Sequence, residues 1–315
     1  MFFRHFNEND IEPFVTHCNI IFPNEKPEWF RTHYLLDPDR NLNAMFLAEE
    51  DGGIISTAQV FCREMYIKGH PVTVGAIGDV TTLIKYRKRG INNRLMRMAI
   101  DYMTDNNMVT SMLYTDKPDY YARLGWFTVC RRNIPVDLAD VDNLPYGYQL
   151  SPFEDGDIEK AEALYNLSSK RFDGAFTRSK AAYWHNWVAH YLIKPMALKR
   201  DGQMIAWMDT KLSFGLPNSH TDIHNNFLLL SDYASLPGKD WFLPMMAEYS
   251  RMTKGPARAV VPAPLMPDYN GAFFEDRTGM YRLNKPFMLG DKRIDSVSKL
   301  AAVLSDTLFW QTDVY

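Results

Sequence analysis

The chain has 315 residues, of which 46% are hydrophobic and 23% are charged, and its formal net charge is −3. This composition is typical of a globular protein long enough for two domains, and the balanced charge argues against a nucleic-acid partner, which usually meets a basic surface. Because the sequence has neither a signal-peptide pattern nor an apolar run of about 18 residues, we expect a cytoplasmic protein without a membrane partner.

The first half of the sequence alternates between strand-like and helix-like segments. Apolar periodicity predicts strands at 2–6, 44–49, 54–65, 72–82, 108–114 and 126–136. It predicts helices at 11–21, 27–36, 89–107 and 119–124. Asp51, Gly52 and Gly53 separate two of these strands and are typical of a hairpin turn. The mixed order predicts a central sheet covered by helices.

The second half repeats this order more loosely after a break at residues 143–147, which are rich in turn formers. Strands are predicted at 195–199, 203–212, 226–234, 258–261 and 277–285. Helices are predicted at 155–169, 179–188, 239–253 and 294–309. We therefore expect an internal duplication whose two copies have diverged in sequence.

The strongest local signal is a basic loop between the strand that ends at Thr82 and the long helix after it. Arg87, Lys88 and Arg89 precede Gly90 in this loop. The N–H groups of a first helical turn have no intrahelical acceptor, and the helix dipole is positive there. Gly90 allows the backbone to approach a bulky anion closely. The loop therefore predicts a pyrophosphate site, and the alternative is a solvated basic helix start.

These residues resemble the motifs of the GNAT acyltransferases. Residues 87–92 resemble the R/Q-x-x-G-x-G/A motif, residues 80–82 resemble the strand that aligns pantetheine and thioester, and residues 119–126 resemble the later FYxxxGF element. The resemblance implies that acetyl-CoA is bound by the following residues: Val80, Thr81, Thr82, Arg87, Lys88, Arg89, Gly90, Ile91, Asn92 and Asn93. Asn92 departs from the family's Gly or Ala, so its side chain would either crowd the pyrophosphate or hydrogen-bond it.

The layout of the whole chain is similar to that of the Eis-type acetyltransferases, which have two GNAT-like units in tandem. Their third, sterol-carrier-like domain has no room in this sequence. The resemblance implies an α/β (α+β) fold of two tandem GNAT-like domains, each a mixed, mostly antiparallel sheet flanked by helices. We expect an acetyl-CoA-binding domain at 1–143, a degenerate domain at 144–290 that shapes the acceptor pocket, and a C-terminal helix and tail at 291–315.

The resemblance also implies the catalytic groups. Tyr121 matches the general acid of the family, with the alternative that Tyr120 and Tyr121 are core aromatics of a short helix. In Eis-type enzymes the C-terminal carboxylate enters the active site, which implies the same role for Tyr315, with a frayed terminus as the alternative. A backbone N–H near Thr82 is expected to bind the oxyanion. The general base stays open among Asp79, Glu49, Glu50 and Asp116.

Neither a metal site nor a disulfide is expected. Cys18, Cys62 and Cys130 are sparse and lack CxxC spacing, which argues against both. His185 and His190 lie five residues apart, whereas metal-binding helices favour a spacing of four. His220 and His224 have that spacing but follow loop-like residues, so we interpret both pairs as structural or solvent-facing.

The sequence thus predicts an acetyl-CoA-dependent N-acetyltransferase in which a small-molecule amine attacks the thioester directly. One alternative is a catalytically silent acyl-CoA-binding sensor. Another is a tandem-GNAT transferase for a larger acyl or aminoacyl donor, but the charge balance does not favour the basic face that tRNA would need. The sequence determines neither the identity of the amine acceptor nor the oligomeric state, and a homo-oligomer is possible.

Overall fold

The computed structural model describes residues 1–214, 226–305 and 307–313 of the chain. The described strands are β1 Phe2–His5, β2 Met45–Glu50, β3 Gly53–Ile67, β4 His70–Thr82, β5 Thr110–Tyr114, β6 Phe127–Thr128, β7 Arg131–Asp137, β8 Tyr148–Pro152, β9 Met196–Arg200, β10 Gln203–Phe214, β11 Asn226–Ser235, β12 Arg258–Pro262, β13 Phe274–Asp276, β14 Gly279–Leu283, β15 Phe287–Leu289 and β16 Lys292–Ile294. The α-helices are α1 Ile11–Ile21, α2 Pro27–Leu36, α3 Ile91–Asp105, α4 Pro118–Ala122, α5 Asp157–Ser168, α6 Ala189–Tyr191, α7 Phe242–Thr253 and α8 Val297–Val303.

Two seven-stranded sheets with the same internal order form the framework of the molecule. The first sheet runs β1-β2-β3-β4-β5-β14-β6, and the second runs β8-β9-β10-β11-β12-β7-β13. In each, the fourth and fifth strands are parallel, while the other described strand pairs are antiparallel. The expected mixed, mostly antiparallel sheets are confirmed, and their matching order is what an internal duplication predicts.

The two sheets exchange one strand each. β14 comes from the second half of the chain and pairs with β5 and β6 of the first sheet. β7 comes from the first half and pairs with β12 and β13 of the second sheet. At the crossing, Arg131 lies opposite Asp276 and forms an ion pair with it. The exchange makes the two halves interdependent, because each sheet is completed only by a strand of the other half.

The predicted single strand at 126–136 is therefore wrong. The chain passes from the first sheet to the second between Thr128, which ends β6, and Arg131, which begins β7. No glycine interrupts residues 126–136, so the sequence pattern carries no sign of the crossing. The predicted domain ranges 1–143, 144–290 and 291–315 stay a prediction about units along the chain, since sheet membership does not follow them.

Two predicted helices differ from those in the structure. The C-terminal helix predicted at 294–309 is limited to α8, which begins after Ser296, whose side chain accepts a hydrogen bond from the Lys299 N–H at 3.3 Å. Residues 307–313 after it are mostly buried. The helix predicted at 179–188 contains a π-helical segment, Tyr183–Val188, that continues into α6. The strands β8, β13, β15 and β16 were not predicted, because they are short and lack clear alternation.

The largest hydrophobic core lies between the two halves and contains residues of both sheets. Met112 of β5 and Trp207 of β10 belong to it, together with Trp184 and Trp187. A second core packs α3 against the first sheet, with Leu95 and Met96 fully buried. Burial of each large apolar side chain stabilises the fold by roughly 1.5–3 kcal/mol. The shared core therefore fixes the position of one sheet relative to the other.

No helix among the described residues combines the length and the apolar character that a membrane crossing requires. The cytoplasmic location and the absence of a membrane partner stay predictions.

Candidate active site

The loop before α3 presents a run of backbone N–H groups without acceptors. No described residue accepts a hydrogen bond from the N–H groups of residues 88–93, and no side chain caps the helix. Lys88 and Gly90 both have left-handed backbones, with φ of 63° and 75°. Left-handed residues in such a turn allow successive N–H groups to point into one concavity, which suits an anion. The predicted phosphate-binding geometry is thus present in the backbone itself.

Basic side chains surround this run of N–H groups. Arg87 donates from Nε to the carbonyl oxygen of Thr82 at 3.2 Å, and Lys88 is exposed beside it. The guanidinium of Arg89 lies over the ring of Tyr86, 5.2 Å from its centroid. A Cβ added at Gly90 would meet no heavy atom within 4 Å, so the space in front of the helix start is open. These residues fit the pyrophosphate of a coenzyme A donor.

A cavity of about 1220 Å³ opens where β4 and β5 separate. The two parallel strands are paired only between residues 74–76 and residues 110–112. Beyond this pairing, residues 77–82 of β4 and residues 113–115 both line the cavity. A register shift between Thr57 and Gln59 of β3 marks a bulge in this stretch, where Asp79 takes a left-handed backbone with φ of 49°. The β5-facing edge of β4 is thus left without a strand partner.

A buried histidine, His17, contacts the bulged part of β4 through Thr81. His17 Nε2 lies 2.6 Å from Thr81 Oγ1, and His17 Nδ1 lies 3.0 Å from the Ile54 carbonyl oxygen. Burial lowers the pKa of His17 to about 4, so the ring is neutral. Because a carbonyl oxygen only accepts, Nδ1 carries the proton, and Nε2 accepts from the Thr81 hydroxyl. The tautomer of His17 is therefore fixed by its two partners.

Two further hydroxyl-bearing residues hold the same strand. The Thr57 N–H donates to Thr81 Oγ1 at 3.1 Å, and Thr57 Oγ1 donates to the Asp79 carbonyl oxygen at 2.7 Å. Ser56 Oγ donates to the Thr81 carbonyl oxygen at 2.5 Å. All of these contacts come from the side of β4 that faces away from β5, and they fix the bulge without using its free edge.

Asp79 is the carboxylate best placed in the cavity to act as a base. It is half-buried and lines the cavity, and no side chain among the described residues hydrogen-bonds to its carboxylate. Burial raises the pKa of Asp79 to about 7. By contrast, Glu49 is held by Arg4 at 2.7 Å outside the cavity, and Asp116 lines the cavity but is exposed beside Lys117. A carboxyl group that titrates near neutral pH suits general base catalysis.

Tyr121 lines the cavity from α4, as the sequence predicts for the general acid. Its ring packs edge-on against Trp126 with centroids 6.2 Å apart. Burial raises the pKa of Tyr121 far above its usual value, so its phenol stays protonated. The neighbouring Tyr120 donates instead to Asn92 Oδ1 at 2.5 Å. The two tyrosines therefore have different roles, since only the hydroxyl of Tyr121 has no described partner.

Asn92, which departs from the family pattern, is turned away from the helix start. Its Nδ2 donates to the Thr81 carbonyl oxygen at 3.4 Å while its Oδ1 accepts from Tyr120. The side chain thus bridges β4 and α4. Of the predicted site residues, those that line the cavity are Val80, Thr81, Thr82, Arg87, Lys88, Gly90, Ile91, Asn92, Asn93 and Tyr121. Arg89 does not line it, and Tyr315 lies outside the described residues.

The second half of the chain and the N-terminal helices form the remaining walls of the cavity. The second sheet contributes apolar and polar residues, which are Arg131, Arg132, Asn133, Lys211, Leu229, Leu230, Val260, Pro262 and Asp276. Residues Ile21, Phe22, Glu25, Trp29 and Phe30 of the α1–α2 region form another wall. Sequence reasoning missed these residues, because isolated positions on strands carry no signal of a cavity. Residues of the second half therefore line this cavity, and a role of the second unit in shaping the acceptor pocket stays a prediction.

The C-terminal tail is anchored inside the second half. Arg178 donates from Nε to Asp313 Oδ1 at 2.9 Å and from Nη2 to Asp232 Oδ2 at 2.7 Å, and all three side chains are buried. Trp187 Nε1 donates to the Thr312 carbonyl oxygen at 2.9 Å. The chain up to Asp313 is therefore not a frayed terminus. The anchor holds Phe309 in the cavity wall.

Among the described residues, no group of three or more His, Cys, Asp or Glu side chains is arranged to hold a metal ion. His220 and His224 lie outside the described residues, and the absence of a metal stays a prediction.

Comparison with known protein families identifies a domain in the first half of the chain. A family model described as an acetyltransferase (GNAT) domain matches residues 3–129. These residues contain the loop before α3, the bulged β4 strand and Tyr121. No curated protein sequence matches the chain.

Several solved structures share the fold over both halves of the chain. A GCN5-related N-acetyltransferase from Anabaena variabilis has 12% identity and a TM-score of 0.68, covering 90% of this chain and 73% of its own. Eis1 from Mycobacterium abscessus has 13% identity and a TM-score of 0.65, with the same coverage of 90% and 73%. N-myristoyltransferase from Saccharomyces cerevisiae, solved with myristoyl-CoA, has 11% identity and a TM-score of 0.54, covering 89% and 82%. These similarities establish the tandem GNAT fold.

The neutral state of His17 predicts a pH dependence of stability. The histidine pKa is 6.5 when unperturbed and about 4 in the folded protein, so the unfolded chain binds a proton first as the pH falls. The stabilisation is fully present above pH 6.5 and is lost between pH 6.5 and 4, amounting to about 3 kcal/mol. Urea unfolding at several pH values measures this loss.

Two variants isolate the contribution of His17. His17→Asn keeps an amide near the Ile54 carbonyl, and His17→Gln keeps one near Thr81, but neither side chain titrates. The free energy of unfolding should therefore fall less steeply in both variants between pH 6.5 and 4. Parallel curves for the parent protein and both variants would show that His17 is not held neutral.

Proposed function

We propose that this chain, whose residues 3–129 match a family model described as an acetyltransferase (GNAT) domain, transfers an acetyl group from acetyl-CoA to the amine of a small molecule. One observation carries the proposal: Lys88 and residues 90–93, whose N–H groups are unpaired, line the same cavity as Asp79, Tyr121 and the second sheet. The donor, the general acid, the general base and the acceptor would therefore meet in this cavity.

The donor would be held by backbone and basic groups. The N–H groups of residues 88–93, with Arg87 and Lys88 beside them, would bind the pyrophosphate. The unpaired edge of β4 at residues 80–82 would hydrogen-bond the pantetheine arm as an added strand does. Acetyl-CoA supplies the acyl group in activated form, as a thioester. N–H groups on this edge, near Thr82, would stabilise the negative charge that develops on the carbonyl oxygen.

Asp79 would prepare the nucleophile. An alkyl amine with a pKa near 10 is mostly protonated at neutral pH and cannot attack until it loses a proton. With a pKa of about 7, the carboxylate of Asp79 is partly ionised at that pH and can accept this proton. Its half-buried position limits competition from bulk water.

Tyr121 would complete the transfer by donating its phenolic proton to the sulfur of the leaving thiolate. The proton is available at neutral pH because burial keeps the phenol protonated. The phenolate that results is less stable in the same buried site, so it regains a proton from the tetrahedral ammonium or from water. No other hydroxyl on α4 fits this role, because that of Tyr120 is bound to Asn92.

The choice between Tyr121 and Tyr120 gives a direct test. Tyr121→Phe should lower kcat by about 10²- to 10⁴-fold, the size expected for loss of general acid catalysis, with little change in CoA affinity. Tyr120→Phe, which removes only the contact to Asn92, is the matched control and should stay within a few-fold. Thiol release from acetyl-CoA with a panel of amines measures both variants.

Two other outcomes would contradict this scheme. Unchanged kcat in Tyr121→Phe would exclude Tyr121 as the general acid. Tight CoA binding without thiol release for any amine would favour the acyl-CoA sensor instead.

The general base can be assigned by comparing Asp79 with the proposed carboxylate of Tyr315. For the parent protein, kcat/KM should rise with pH through about 7, because activity appears as Asp79 loses its proton. Asp79→Asn should remove this rise and lower kcat/KM by about 10²-fold or more. Deletion of residues 314–315 keeps the side chain of Asp313 that contacts Arg178, so it removes the Tyr315 carboxylate and moves the end of the chain to Asp313.

The two variants separate the alternatives. A large loss in Asp79→Asn with near-normal kcat in the deletion assigns the base to Asp79. A large loss of kcat in the deletion, with the pH dependence retained in Asp79→Asn, assigns a catalytic role to the terminal carboxylate.

A further inference from the structure

Lys211 is a cation beside an apolar strip of the cavity wall. It lies on β10 opposite Leu229, which in turn pairs with Val260 of β12, and all three residues line the cavity. Leu229 and Val260 are buried, whereas Lys211 is half-buried. The row thus brings one ammonium group to the edge of a hydrophobic strip on the second sheet.

This ammonium group has no counter-charge among the described residues. None of the described ion pairs involves Lys211, and the nearest influence comes from Asp209 on the same strand. The carboxylate of Asp209 is already occupied, because it accepts hydrogen bonds from the N–H groups of Ile193 and Lys194 and from the hydroxyl of Ser231. Burial lowers the pKa of Lys211. A partly desolvated cation without a partner is costly, and an anionic ligand would relieve this cost.

Two arginine side chains of the second sheet also line the cavity, and each has a partner. Arg131 is paired with Asp276 and also donates to the Tyr114 hydroxyl at 3.2 Å. Arg132 lies over the ring of Phe273, 4.7 Å from its centroid. Glu25 is exposed. An acceptor with several positive charges would therefore meet an unneutralised cation on this wall.

Gln311 of the C-terminal tail adds a polar group to the same cavity. Its amide oxygen is buried, and no described residue donates a hydrogen bond to it. Buried acceptors are normally satisfied, so this oxygen suits a donor on a ligand. Aromatic side chains, including Trp29, Phe30 and Phe309, also line the cavity.

From these observations we infer that the acceptor carries a carboxylate near its amine on a small apolar or aromatic skeleton, as an α-amino acid does, and that Lys211 binds this carboxylate. The inference rests on the proposed function and adds to it the chemical class of the acceptor. An ammonium–carboxylate contact in a half-buried site orients the substrate as well as binding it. Lys211 is thus a specificity residue, and it takes no part in proton transfer.

Paired acceptors test this assignment. Phenylalanine and phenethylamine share a skeleton and differ in the carboxylate. Leucine and isoamylamine form a second pair. For each pair, kcat/KM is measured by thiol release from acetyl-CoA, and binding to the complex of the protein with CoA is measured by calorimetry. Phenylalaninamide controls for basicity, because its amine is less basic than that of phenylalanine and yet it lacks the carboxylate.

The parent protein should prefer the carboxylated member of at least one pair, and phenylalaninamide, which lacks the carboxylate, should bind as weakly as phenethylamine. Lys211→Met should lower this preference by about ten- to a hundredfold, the size expected for one charge-assisted hydrogen bond. Lys211→Arg keeps the charge and should retain most of the preference. Thermal unfolding of both variants verifies that they are folded.

Three outcomes would overturn the inference. The first is that the parent protein shows no preference for the carboxylated acceptor in any pair. The second is that Lys211→Met lowers kcat/KM equally for both members of a pair. The third is that Lys211→Met lowers CoA affinity by a matching factor, which would assign Lys211 to the donor site. Failure of the proposed function is distinguishable from these results. It would appear as absent thiol release with every amine, while calorimetry would still report whether Lys211 selects the carboxylated acceptor.

Discussion

The separation of β4 from β5 is the constraint on which the rest of the site depends. The two strands are paired only between residues 74–76 and residues 110–112. The residues that follow in each strand line the cavity. On one side, β3 holds β4 through a bulge and a set of buried hydroxyl contacts. On the other side, β14 holds β5. Because β14 belongs to the second half of the chain, the opening exists only when both halves are folded together.

Desolvation sets the protonation state of the groups that the proposed mechanism uses, and it acts in opposite directions on acids and bases because it disfavours whichever form is charged. It keeps His17 neutral, so that the histidine accepts from Thr81 and supports the strand. It raises the pKa of Asp79 to about 7, where a carboxyl can act as a base. It also keeps Tyr121 protonated as an acid. Desolvation also lowers the pKa of Lys211, and a carboxylated acceptor would stabilise its ammonium group.

The features that the sequence predicted are local, and those that it missed depend on distant parts of the chain. The loop before α3 could be predicted because Gly90 and the basic residues beside it are contiguous with the helix that they precede. Tyr121 was identified by its short motif. The exchange of β7 and β14 could not be predicted, because two-residue links carry no periodicity that identifies the sheet a strand joins. Lys211 was missed for a related reason, since its surroundings come from three strands.

The central claim is that the N–H groups of residues 88–93 bind the pyrophosphate of coenzyme A, and calorimetry of CoA binding to Gly90→Glu tests it most directly. Gly52→Glu is the matched control, because both glycines have φ of 75° and open space around the added Cβ, while Gly52 lies in the β2–β3 turn. A carboxylate at residue 90 should repel the diphosphate and weaken binding by more than about tenfold, whereas Gly52→Glu should bind like the parent protein. Equal CoA affinity in the two variants would contradict the account.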